Sequence, residues 1–230
     1  DGASLFAPSR AYGRPDDLRA LVDDAHAHNL GVMLDVVYNH LGPEGAYTSE
    51  FHPNYVTRQH STAWGSAINL DDCGSDLVRS FLIDNARHWV REYHVDGLRL
   101  DATHALVDES PLHFVAEMVG QVRFEALWPV TIHAEDYRNL ATMLHSPQEG
   151  GWGLDGIWAD DFHHVLRRLI AGDSRGYYQD YKGTVDELVR TIRQGWLYTG
   201  QLTSRTNLPR GTDASRVFMR QSVICTQNHD

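Results

Sequence analysis

The chain has 230 residues, 42% of them hydrophobic, enough for one sizeable core. Its formal net charge is −11 and it contains no run of Lys or Arg, which argues against nucleic acid as a partner. No apolar run approaches the ~20 residues of a membrane-crossing helix, and the two cysteines, Cys73 and Cys225, read as free thiols of a reducing, cytoplasmic compartment rather than as a disulfide.

The first predicted element is a helix from Pro15 to Asn29, with proline at its first position, Asp16 and Asp17 in its first turn and Gly31 beyond its end. Leu18, Leu21, Val22 and Ala25 form its apolar stripe. A buried strand, Val32 to Val37, follows and ends at Tyr38-Asn39-His40. The polar stretch 41–74 is longer than most connections and reads as a functional excursion. Ser75 is placed to cap a helix whose inner face is Val78, Leu82, Ala86, Trp89, Val90 and Tyr93.

The strand Gly97–Asp101 comes next, then a helix from Ser110-Pro111 with Val115, Met118, Val119 and Val122 inward, then the strand Thr131–Glu135. Gly156 to Ala159 is a short strand ending at Asp160-Asp161, and the helix after it carries Val165, Leu166, Leu169 and Ile170. Thr184 and Glu187 form a capping box for a further helix. A Gly-, Ser- and Thr-rich loop covers 200–215, and a last strand lies within 216–225. Repeated alternation of strand and helix predicts an α/β fold with a parallel sheet. About five strands are present, against the eight of a closed (β/α)₈ barrel. Both ends read as cuts through a longer protein, and one domain is expected over 1–230.

Three acidic residues close three strand-like segments: Asp101, Glu135 and Asp230. In a (β/α)₈ barrel the C-terminal strand ends carry the active site. Arg99 shares the strand face of Asp101, roughly 7 Å away along the chain, and its charge favours an ionised carboxylate, as a nucleophile requires. Asp35, on the neighbouring strand, is the expected partner of Arg99. A second carboxyl that stays protonated would supply the acid for glycoside cleavage. Taken alone, Asp101 is as well explained by a structural ion pair, and Glu135 by a surface carboxylate. His40 and His229 each follow an asparagine at a strand end and read as neutral donors for sugar hydroxyls. No His-x-x-x-His, His-Glu-x-x-His or Cys-x-x-Cys spacing occurs, so no catalytic metal is expected. Trp64, Trp152, Trp158, Tyr177 and Tyr178 could stack on sugars, but core packing explains such aromatics equally well.

Asp35-Val-Val-Tyr-Asn-His40, Gly97-Leu-Arg-Leu-Asp101, the Glu135 segment and Asn228-His-Asp230 resemble, in order, the four signature regions of the α-amylase superfamily. Ser4 to Gly13, His40 to Gly45, Ala134 to Asn139 and Trp158 to His164 are similar, more narrowly, to the trehalose-releasing subgroup that acts on maltooligosyltrehalose. The resemblance implies a (β/α)₈ TIM barrel of the α-amylase type, present here as about strands 3 to 7, without the flanking N- and C-terminal β-domains. It implies a retaining glycoside hydrolase with an oligosaccharide substrate, no cofactor and two carboxyls about 5–5.5 Å apart. Asp101 would be the nucleophile, Glu135 the acid and base, and Asp230 the stabiliser of the distorted ring. Arg99 would orient Asp101, His40 and His229 would bind the sugar being cleaved, and His104 and Asp136 would line the leaving-group side. A glucan branching enzyme, an α-amylase, a metal-dependent barrel hydrolase and an inactive glucan-binding fragment remain alternatives.

Overall fold

The computed structural model describes residues 2–42, 44–214 and the strand pair of residues 223–224. The chain divides into two compact units, residues 1–133 and 134–230.

The first unit begins with helix α1, Pro15–Ala27, and strand β1, Met33–Val36. Pro15 at the first helical position and Asp17, whose carboxylate accepts from the Arg14 amide, set its start. The helix ends at Ala27, earlier than Asn29, which takes the left-handed conformation (φ 57°) that stops it. Of its predicted stripe Val22 is fully buried, while Leu21 is exposed.

Within 41–74 the excursion folds into a short helix α2, Thr48–Phe51, and an antiparallel hairpin, β2 (Val56–Thr62) with β3 (Gly65–Ile68). Helix α3, Ser75–Tyr93, buries the whole predicted face from Val78 to Tyr93. Its cap is Gly74 in a left-handed turn (φ 77°), and Ser75 is already inside the helix, its amide bonded to the Asp72 carbonyl. Strand β4, Gly97–Leu100, pairs in parallel with β1 and is buried at every position, as a strand covered on both faces must be. Gly97 allows strand β5, Thr131–Glu135, to approach: a Cβ there would lie 2.6 Å from Thr131 Oγ1. Helix α4, Phe114–Glu125, starts later than Ser110, because His113 accepts from the Val115 amide while Ser110 turns onto Asp108. Val115, Met118, Val119 and Val122 are buried as the period requires. In this unit the sheet order is β1, β4, then the start of β5.

The second unit holds the end of β5, strand β6 (Gly156–Ala159) and strand β9 (Val223–Ile224), with Trp158 opposite Val223 in parallel register. Helix α5 (Asp161–Ala171) and helix α6 (Val185–Gln194) pack a cluster of Val165, Tyr181, Leu197 and Tyr198 with Leu188. Leu169 and Ile170, expected on the inner face of α5, are exposed instead. Thr184 caps α6 by accepting from the Glu187 amide, while Glu187 reaches back to the Lys182 and Gly183 amides. The stretch read as a loop at 200–215 contains a small antiparallel pair, β7 (Gln201–Leu202) with β8 (Pro209–Arg210).

One partly buried cation ties α3 to α4. Arg79 donates to Asp108 (2.7 Å), Glu117 (2.8 Å) and the carbonyls of Leu70 and Leu112. The Asp108 side chain is fully buried. Burial alone would raise its pKa, but hydrogen bonds from Ser110, Phe114 and Arg79 prevail and hold it below the ordinary carboxylate value. A folded pKa below the unfolded one stabilises at pH values above the unfolded value, ~3.9, and that contribution is lost as pH falls through the folded value. Arg79→Met leaves Asp108 buried without its cation. Urea unfolding near neutral pH is expected to show a loss of about 3–5 kcal/mol, with less further loss below about pH 4 than in the parent. A cost under about 1 kcal/mol would show that Arg79 is not the partner that holds Asp108.

Candidate active site

Parallel register decides the first half of the site. Asp35 of β1 lies opposite Arg99 of β4, so their side chains leave the sheet on one face. Arg99 is almost completely buried. Its Nη1 donates to both oxygens of Asp35 (2.7 and 2.8 Å) and to Oδ1 of Asp101 (2.7 Å). Asp101 stands at the end of β4, where its amide still bonds to the Val36 carbonyl. The chain then turns sharply through Ala102, a non-glycine residue in the left-handed region (φ 42°). Such strain of order 1–3 kcal/mol is tolerated where surrounding contacts over-determine the backbone.

Asn39, fully buried, supplies the second hold on the Asp101 carboxylate. Its amide nitrogen donates to Asp101 Oδ2 (3.1 Å) and to the Asp101 carbonyl (2.9 Å). Both Asp101 oxygens are therefore engaged, yet the side chain keeps 27% of its surface exposed. Because the Asn39 nitrogen faces two acceptors, its oxygen must face His40 Nδ1, and it does. That pairing puts the ring proton on Nδ1 and leaves Nε2 of the neutral imidazole as an acceptor. Burial lowers the His40 pKa below its ordinary value, against the opposing effect of the Asp101 charge. Tyr38, whose hydroxyl donates to Asn85 of α3 (2.8 Å), anchors the start of this Tyr-Asn-His segment.

The β2–β3 hairpin adds a residue that the sequence did not single out for this place. Trp64, at its tip, is half exposed, stacks on His40 (5.3 Å between centroids, 17° between planes) and tilts against His104 (6.3 Å). Asp101, Arg99, His40 and His104 thus come together with Asp35, Asn39 and Trp64.

In the second unit Glu135 ends β5. Ile132 and Ala134 are fully buried on one face, and Glu135 is half-buried on the other. Asp136 extends the ladder through its amide to the Trp158 carbonyl. Its carboxylate is buried and turned onto Arg138, which donates from its amide (2.8 Å), Nε and Nη2 (2.7 Å). Asp230 and His229 lie outside the described residues, as does Cys225; Cys73 is an exposed free thiol. Among the described residues no group of three or more His, Cys, Asp and Glu side chains could hold a metal ion. No helix among them is long and apolar enough to cross a membrane.

No protein-family model matches the chain. Among curated proteins, the malto-oligosyltrehalose trehalohydrolase of Deinococcus radiodurans is 44% identical over 232 residues, covering 100% of this chain and 37% of that protein. The enzyme of the same name from Saccharolobus solfataricus is 36% identical over 230 residues, covering 100% of this chain and 40% of its own length. The chain therefore spans about two-fifths of the curated relatives it matches. Among solved structures, a Salmonella typhimurium protein described as an α-amylase superposes with a TM-score of 0.90 at 34% identity, over 98% of this chain and 39% of that one. The parallel strands and helices of this chain are a partial (β/α)₈ barrel of the α-amylase type, and from end to end the chain corresponds to about two-fifths of proteins named malto-oligosyltrehalose trehalohydrolase.

Proposed function

We propose that the full-length protein is a retaining glycoside hydrolase that cleaves the α-1,4-glucosidic bond next to the terminal trehalose of maltooligosyltrehalose, releasing trehalose. The observation that carries this reading is the doubly held, partly exposed Asp101 in a chain that matches trehalohydrolases along its whole length.

Asp101 attacks the anomeric carbon while Glu135 delivers a proton to the glycosidic oxygen, so that trehalose departs neutral. Glu135, now a carboxylate, takes a proton from water, whose oxygen displaces Asp101 from the sugar. Two inversions retain the configuration. Arg99 and Asn39 aim the nucleophile, so that little reorganisation accompanies attack. Asp230 is assigned to the ring hydroxyls of the distorted sugar and His229 to the same sugar. His40 accepts a hydrogen bond from a sugar hydroxyl at Nε2, rather than donating as the sequence suggested, and Trp64 covers an apolar sugar face. His104 is assigned to the leaving-group side. Asp136 reaches that side through Arg138, which it holds. The cytoplasmic placement rests on the paucity of cysteines.

Product analysis of the full-length protein tests the reaction. Trehalose from maltotriosyltrehalose, with little action on maltopentaose, is the expected result. Comparable cleavage of both would make it a general amylase, and transfer without trehalose release a branching enzyme. Asp101→Asn is expected to lower kcat by about 10⁴-fold while substrate still binds. A near-parental rate would remove Asp101 as nucleophile. By NMR, the His40 imidazole should titrate below ~6.5. In Asp101→Asn its midpoint should fall further, because the charge that opposes burial is gone. An upward move would contradict the assigned contacts.

A further inference from the structure

The second unit contains a fully buried acid to which the chemistry above gives no task. Asp161 is the first residue of α5, directly after β6. Its Oδ1 accepts from the Tyr181 hydroxyl (2.7 Å) and from Arg210 Nη2 (2.7 Å). Its Oδ2 accepts from Asn139 Nδ2 (2.8 Å) and from the amides of Leu197 (2.6 Å) and Tyr198 (3.2 Å). Five donors on one buried carboxylate make a satisfied polar hub rather than an open site.

The hub's bonds converge on one stretch of chain. Arg210 Nε donates to the Tyr137 carbonyl (2.7 Å), and its guanidinium lies against the rings of Tyr137, Tyr181 and Tyr198. The Asn139 side chain is held by Asp161 itself, and the Asn139 carbonyl accepts from the Thr212 amide (2.9 Å). Asn139 sits in the left-handed region (φ 58°), a sharp turn that asparagine tolerates. Gly211 lets the 210–212 strand end run flush against Tyr198, since a Cβ there would fall 1.8 Å from the Tyr198 carbonyl oxygen. Residues 137 and 139 are thus pinned at three points, and they begin two residues after Glu135. A buried ion pair is often replaceable by apolar groups at no cost in stability, so its value here is better sought in what it orients.

We propose that Asp161, with Arg210, is a positioning residue for the acid/base: by clamping Tyr137 and Asn139 it sets the direction in which the Glu135 carboxyl leaves the strand end. The inference rests on the reading of Glu135 as acid and base.

The test compares two substrates of the full-length protein by kcat/KM, which covers only the steps through the first cleavage. Maltotriosyltrehalose has a leaving group that needs a proton; α-maltotriosyl fluoride has one that leaves without it. Two variants interrupt the clamp. Asp161→Asn turns an amide nitrogen toward existing donors and removes the partner of Arg210. Asn139→Gly keeps the ion pair and the left-handed turn but cuts the link to the loop. Either is expected to lose about 10- to 100-fold on maltotriosyltrehalose and less than about threefold on the fluoride, at a folded fraction equal to the parent's by circular dichroism. Equal losses on both substrates, or no loss in Asn139→Gly, would overturn the proposal and leave a purely structural hub. If Asp161→Asn does not fold, Asn139→Gly decides alone. Glu135→Gln serves as the reference: a loss confined to maltotriosyltrehalose supports its acid role, so that clamp variants without that pattern refute the positioning alone. An equal loss on both substrates in Glu135→Gln would remove the acid role and the positioning with it.

Discussion

A guanidinium taken out of water costs several kcal/mol unless carboxylates and hydrogen bonds replace its hydration. Arg99 is almost wholly buried, and the carboxylates of Asp35 and Asp101 are what replace it. This requirement links the sheet to the chemistry. A one-residue slip between β1 and β4 would send Arg99 to the opposite face and bury it without a partner. The register that satisfies the cation is the register that places the Asp101 carboxylate at the strand end, between Arg99 and Asn39. Geometry at Asp101 therefore follows from an electrostatic condition on strand pairing.

Two aspartates are held by dense hydrogen bonding and put to different ends. Asp101 has both oxygens engaged but keeps part of its surface open, so a substrate could still reach it. Asp161 has five donors and no exposure, so it can act only through what it holds. Groups around it are shifted as well. Burial, then the Asp161 charge, pushes the Tyr181 hydroxyl well above its ordinary pKa. Tyr198 rises to about 12 from burial and the nearby Asp180. For Arg210 burial would lower the pKa, but Asp161 and Tyr181 outweigh it and raise it. Such shifts arise at structural hubs as well as at active sites. Exposure, not the shift, separates the two roles.

The strong patterns carried the fold a long way. The buried face of α3 and the four inward positions of α4 match the 3.6-residue period, because each helix must cover the same sheet along its length. Ends were less readable. Ser75 and Ser110 both have capping side chains, but Gly74 and His113 hold those places. The choice depended on where the preceding loop delivers the chain. Leu169 and Ile170 fit the period of α5 and still face outward. Arg99, Asp101 and His40, which meet in the first unit, were singled out in the sequence by the motifs that hold them, and Glu135 by its strand end in the second. Asn39 was passed over as a neighbour in a motif, and Trp64 was named only among several aromatics that could stack on sugars, because no local pattern places the tip of an excursion.

The sequence alone determined the alternation of strand and helix, the strand-end positions of Asp101 and Glu135 and the pairing of Arg99 with Asp35, because these follow from local period and from the alternation of faces along a strand. It also carried the resemblance to the α-amylase superfamily, through four motifs in order. The tertiary structure decided which way Asn39 points and hence which nitrogen of His40 carries the proton, what the hairpin tip touches, and that Asp161 gathers residues 139, 181, 197, 198 and 210 into one hub. Those contacts join residues as far apart as Asn39 and Asp101, 62 positions along the chain. No local pattern encodes such a meeting, because it exists only once the backbone has closed the distance.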